Sequence, residues 1–167
     1  MVAVLDQVVC IKINGRADFT LSKDSEKVIR ELWQRGYRRF VLELRDCVMM
    51  DSTYLGMLSG LALKFSDASH PPDSPLELFN PSPRIAEVLE SLGVAHLFKI
   101  IHCPDPLAFN YEPIAQTSGT SKAETTRNCL EAHKILMALN PENVTKFKDV
   151  AHFLAEDLKR LELAQKS

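Results

Sequence analysis

An apolar run from Val8 to Ile13, a helical pattern carried by Val28, Ile29, Leu32 and Trp33, and a second apolar run from Phe40 to Leu44 follow in close succession. A strand, a helix and a strand joined by a crossover of this length form a parallel pair, with the helix laid on the sheet. That order commits the chain to an α/β sheet, in which functional groups collect outside the carboxyl ends of the strands. The helix face is single, so it reads as packing. Ser22 or Asp24 is its expected N-cap, and Gly36 its first residue beyond the C-terminus. Val2 to Leu5 reads as an edge strand linked through Asp6-Gln7, and Asn14-Gly15 as a turn, since both residues tolerate positive φ.

The stretch Leu42 to Phe65 then places chemistry on this frame. Leu42, Leu44 and Val48-Met49-Met50 read as a buried strand and its exit, and the residues after them as a helix rich in apolar and small side chains. Asp51 or Ser52 caps that helix, because either oxygen can accept from the free first-turn N–H groups and the helix dipole favours negative charge there. A serine is thereby presented where an anion is tolerated, with Asp46 on the same rim. Leu55, Leu58, Ala62 and Phe65 make one stripe of the helix; Tyr54, Met57 and Leu61 make another. One stripe faces the sheet, and the second must meet solvent, another helix or a partner. Gly56 and Gly60 would let another backbone approach, or pack tightly on the sheet.

Leu76 to Phe79 resumes as a strand after a proline-rich loop, and Ser82 caps a helix with apolar positions Ile85, Val88, Leu89 and Leu92, ended by Gly93. Leu97 to Ile101 is the expected last strand. Residues 107–120 read as a linker, and residues 121–167 as a helical C-terminal extension of two helices. Ser121 with Glu124 makes a capping box for the first, and Asn140 with Pro141 opens the second. Val144, Phe147, Ala151, Leu154, Leu158 and Leu161 form a nearly unbroken heptad stripe on the second helix. Such a helix either folds back over the domain, with the Tyr54, Met57 and Leu61 stripe as a candidate seat, or pairs with another chain as a homodimer.

The chain has 167 residues and a formal charge of -2, so nothing in its charge points to nucleic acid or an anionic membrane. No segment is apolar long enough to span a bilayer, and the start lacks the regions of a signal peptide; the expected location is cytoplasmic. Cys10, Cys47, Cys103 and Cys129 are scattered, as reduced packing thiols are, with Cys10 and Cys103 inside strand-like runs. The histidines lack metal-ligand spacing, so no metal is expected. A glycine-rich phosphate loop and a credible triad are also lacking, which argues against an enzyme and against a bound cofactor.

The segment Asp51-Ser52-Thr53-Tyr54-Leu55-Gly56 after an apolar strand resembles the D-S-[ST]-G-L-G signature of STAS domains, the family of bacterial anti-sigma factor antagonists and their relatives. Ile13 to Asp18 is similar to the family's G-x-x-D turn, and Phe40 to Leu44 to its central strand. Tyr54 stands where the family has glycine, so a bulkier surface is expected beside the serine. The resemblance implies a mixed sheet of about five strands with helices packed on it over residues 1–106, to which the two C-terminal helices are appended. It also implies an anti-sigma factor antagonist: an anti-sigma factor serine kinase would phosphorylate Ser52 and bind the unphosphorylated form. Asp18, Asp46, Asp51, Ser52, Thr53, Tyr54, Leu55, Met57 and Leu61 are the expected partner-binding residues, and ATP would belong to the partner. A non-switching STAS scaffold or accessory interaction module is the alternative.

Overall fold

The structure, a computed structural model, describes residues 1–66, 75–105, 109–114 and 120–165. β1 (Val2–Leu5) and β2 (Val8–Lys12) form an antiparallel hairpin. Asp6 and Gln7 turn it at φ of 45° and 71°, as the twist of a tight hairpin requires. After β3 (Gly15–Ala17) and α1 (Phe19–Gln34) the chain returns as β4 (Arg39–Glu43), parallel to β2 with Val9 opposite Phe40 and Ile11 opposite Leu42. β5 (Cys47–Met50), α2 (Ser52–Phe65), β6 (Leu76–Phe79), α3 (Pro83–Ser91) and β7 (Lys99–Ile101) follow. The main sheet has five strands in the order β1-β2-β4-β6-β7, parallel except at the β1 edge. The chain closes with α4 (Lys122–Leu139) and α5 (Glu142–Gln165).

β4 is central, and Phe40, Val41, Leu42 and Glu43 along it are all buried, as expected of a strand covered on both faces. α1 and α2 meet over the Trp33 and Phe65 rings, stacked 4.0 Å apart and nearly parallel. Gly36 ends α1 at φ 101°, while the Tyr37 amide donates back to Leu32.

Four local expectations are corrected. Val48 to Met50 does not continue the Leu42 strand; it forms β5, which pairs parallel with β3 in a separate two-stranded sheet. The cap of α1 is Asp18, whose Oδ1 accepts from the Thr20 amide, so Ser22 and Asp24 lie inside the helix and are buried. The earlier aspartate wins because β3 extends the chain up to residue 17 and releases it there. The last strand begins at Lys99, since Ala95–Leu97 takes a 3-10 turn. Cys103 consequently lies beyond β7, half-buried.

The two C-terminal helices are packed against the rest of the molecule. α4 lies on α2, and α5 on α4. Within the α5 stripe, Phe147 meets the His133 ring edge-on and Ala151 is buried, whereas Val144 stays exposed. Arg127 and Glu162 pair across the two helices at 2.8 Å. Parts of the stretch read as a linker, residues 107, 108 and 115–119, lie outside the described residues. Glu112 exchanges two backbone hydrogen bonds with Val2, extending the sheet edge at β1. No helix among the described residues is long and apolar enough to cross a membrane.

Candidate functional site

The small β3-β5 sheet builds the site. Its strands run parallel in a register that sets Ala17 opposite Met50, and each strand ends one residue before a helix cap. Asp18 and Asp51 therefore emerge side by side, and α1 and α2 start from the same place. Asp51 Oδ1 accepts from the Tyr54 amide at 2.8 Å, closing the first turn of α2. Its Oδ2 accepts from the Phe19 amide of α1 at 3.0 Å. One carboxylate thus satisfies orphan donors of two helices. Asp18 accepts from both the hydroxyl and the amide of Thr20; the hydroxyl contact is the main reason its carboxyl is held below the usual range.

Ser52 is the first residue of α2 and is half-buried. Its Oγ lies 3.0 Å from Nε2 of His133 on α4. The other ring nitrogen, Nδ1, is 2.7 Å from the Cys129 carbonyl oxygen, which can only accept, so Nδ1 carries the hydrogen. In the neutral ring Nε2 is then the acceptor and the Ser52 hydroxyl donates to it. Thr53 beside it hydrogen-bonds Cys129, a contact that opposes the rise in that thiol's pKa caused by burial. His133 and Cys129 were not singled out from sequence. Spacing places His133 among the buried positions Thr126, Leu130 and Leu136 of α4, but nothing in it names the serine as its partner.

The remaining expected site residues divide. Asp46 is exposed and pairs with Lys12 at 2.8 Å, away from the cap cluster. Leu55 and Tyr54 are fully buried, and the Tyr54 hydroxyl donates to Ser25 Oγ at 2.9 Å. Its ring does not form the bulky surface expected beside the serine: it fills space between α1 and α2, where burial pushes the phenol pKa far up. Met57 and Leu61, 8% and 1% exposed, are covered as well. A Cβ added to Gly56 would lie 2.4 Å from the Ala132 carbonyl oxygen, and one on Gly60 would lie 2.7 Å from Ile135 Cδ1. Both glycines therefore admit α4. Cys47 is buried, donates to the Met49 carbonyl and has its thiol pKa raised by burial, which suits packing better than nucleophilic chemistry.

The comparisons with known proteins agree with the fold of residues 1–104. The STAS domain family model matches residues 1–104. A STAS-domain containing protein of Pseudomonas aeruginosa (strain UCBPP-PA14) is 33% identical over 97 residues, spanning 56% of this chain and 88% of the relative. The anti-sigma factor antagonist SpoIIAA in its unphosphorylated form superposes with a TM-score of 0.51 at 18% identity, over 60% of this chain and 86% of that one. A crystal structure from Thermotoga maritima gives a TM-score of 0.53 at 20% identity, over 62% and 85%. At those identities the two structures share the fold. α4 and α5 lie beyond the residues matched by the family model. With the family model spanning β1 to β7 and the helices α1, α2 and α3 among them, this chain belongs to the STAS domain family.

Proposed function

We propose that this protein is a regulator of the anti-sigma factor antagonist type, which binds an anti-sigma factor serine kinase and is switched by phosphorylation of Ser52. The observation that carries this reading is the placement of the Ser52 hydroxyl on the first residue of α2, half-buried, where the helix dipole favours an added anion. In the reaction Ser52 Oγ attacks the γ-phosphorus of a nucleoside triphosphate held by the partner. An O–P bond forms, the bond from the γ-phosphorus to the β–γ bridging oxygen breaks, the nucleoside diphosphate leaves, and the hydroxyl proton passes to a base. Use of ATP by the partner puts the encounter in the cytoplasm. Residues 1–106 act as the regulatory unit and 121–167 as an appended pair of helices.

The test is phosphate mapping by mass spectrometry after incubation with a cognate kinase, followed by calorimetric titration of the unmodified, Ser52→Ala and Ser52→Asp forms. The switch predicts phosphate on Ser52 and affinities of the two variants differing at least about tenfold, equivalent to roughly 1.4 kcal/mol. A non-switching scaffold is favoured by one observation, the seat that α4 takes on α2 at Gly56 and Gly60 beside Ser52. Equal affinity for all forms selects the scaffold.

A further inference from the structure

We infer that the α4–α5 hairpin is a built-in lid over the glycine face of α2, latched by the Ser52 hydroxyl, and that phosphate on Ser52 opens it. This rests on the reading of Ser52 as a phosphate acceptor: the modification would free the face of α2 that α4 now occupies.

The lid has firm ends and a conditional middle. At the turn between α4 and α5, the Asn143 side chain, fully buried, donates to the carbonyls of Leu92 and Leu136, and Lys146 donates to the Ser91 carbonyl. At the other end Lys23 of α1 pairs with Glu124. Between them α4 rests on α2 through the Gly56 and Gly60 contacts, with the Ser52–His133 hydrogen bond at the rim.

That bond depends on an uncharged serine. His133 is 6% exposed, and its Nδ1 is committed to the Cys129 carbonyl. Replacing the hydroxyl hydrogen by a phosphoryl group removes the donor that Nε2 accepts. It also sets about two negative charges and three acceptor oxygens against a face made by His133, Cys129 and Phe147. Asp51 already supplies a carboxylate at the same helix start. Two basic side chains, Lys23 of α1 and Arg16 of β3, are already paired, with Glu124 and, at 3.7 Å, with Asp18. A phosphate held under α4 would lose water beside a largely buried imidazole whose Nδ1 is already committed to a carbonyl, whereas a lifted α4 restores its hydration. Opening then uncovers the Gly56 and Gly60 face of α2 on which Ala132 and Ile135 of α4 now sit.

The experiment uses the full chain carrying phosphoserine at position 52, made without any kinase, and measures amide hydrogen exchange by mass spectrometry. Exchange across Leu130 to Leu136 should quicken at least about tenfold against the unmodified chain, while β4 amides remain protected and report an intact sheet. Gly56→Ala, which wedges α4 away with no charge, should show the same loosening; Ser52→Ala, which removes the latch hydrogen bond and adds no charge, should loosen α4 less than phosphoserine does. Unchanged or increased protection of α4 in the phosphoserine chain overturns the inference, and is the result expected if a protonated His133 grips the phosphate. Loss of β4 protection together with α4 also overturns it, since the phosphate would then unfold the domain instead of opening a lid. Because no kinase is present, a lid that stays shut leaves the proposed switch standing, and a chain that no kinase modifies leaves the exchange result standing.

Discussion

The Asp51 carboxylate lies 3.0 Å from the Phe19 amide, so the cap of α2 also holds the start of α1. A shared cap couples two helices that are far apart in sequence, and its loss is felt twice. Asp51→Ala should cost about 2 kcal/mol, the upper end for a single N-cap, with Asp51→Asn recovering part because its one oxygen can serve one helix. Urea unfolding of the two variants checks this. Equal stability of Asp51→Ala and wild type would remove Asp51 from its structural role.

Asp18 gives a prediction with a sign in pH. Its carboxyl is held below the usual range mainly by the Thr20 hydroxyl. A depressed folded-state pKa means that its stabilisation is fully present above the unfolded value of about 3.9. It is lost as pH falls through the folded value. Asp18→Ala should therefore be less stable than wild type by about 1 kcal/mol at pH 7, and the gap should narrow below about pH 4. Thermal unfolding of both proteins across that range measures it; a gap constant down to pH 2 contradicts the account.

Tyr54, at the position where the family motif has glycine, should behave as a core residue. Tyr54→Phe leaves Ser25 Oγ without the hydroxyl that now donates to it and should cost about 1 kcal/mol. Tyr54→Gly empties a fully buried site in a helix and should cost at least about 3 kcal/mol. Denaturant midpoints of the two variants decide this. Should Tyr54→Gly match wild type, the ring packs less tightly than its burial indicates.

Ser59 makes the opposite case. Its hydroxyl oxygen is fully buried on α2 and finds no hydrogen-bond partner among the described residues. Removing an unsatisfied buried polar atom relieves a desolvation cost, so Ser59→Ala should be neutral or stabilise by up to about 1 kcal/mol. A clear loss of stability, read from the same unfolding curves, would show that the hydroxyl has a partner in solution.

The central parallel pair, the Gly36 stop, a cap at Asp51 or Ser52 and the two C-terminal helices could be read from residues alone, because each depends on local chemistry. A helix needs an acceptor at its start, a left-handed residue past its end and one apolar face; a strand between helices needs apolar side chains on both sides. The cap of α1 escaped that reading because it is set by the short strand β3, whose three residues carry too little pattern to announce it. Tyr54 escaped because a helical stripe shows which residues share a face and not what covers it. The same limit applies to Ser52 and His133, separated by most of the domain and joined only because Gly56 lets the α4 backbone descend onto α2. Sequence periodicity specifies faces, while the pairing of faces is fixed by steric fit between side chains distant along the chain, and that fit exists only in the folded molecule.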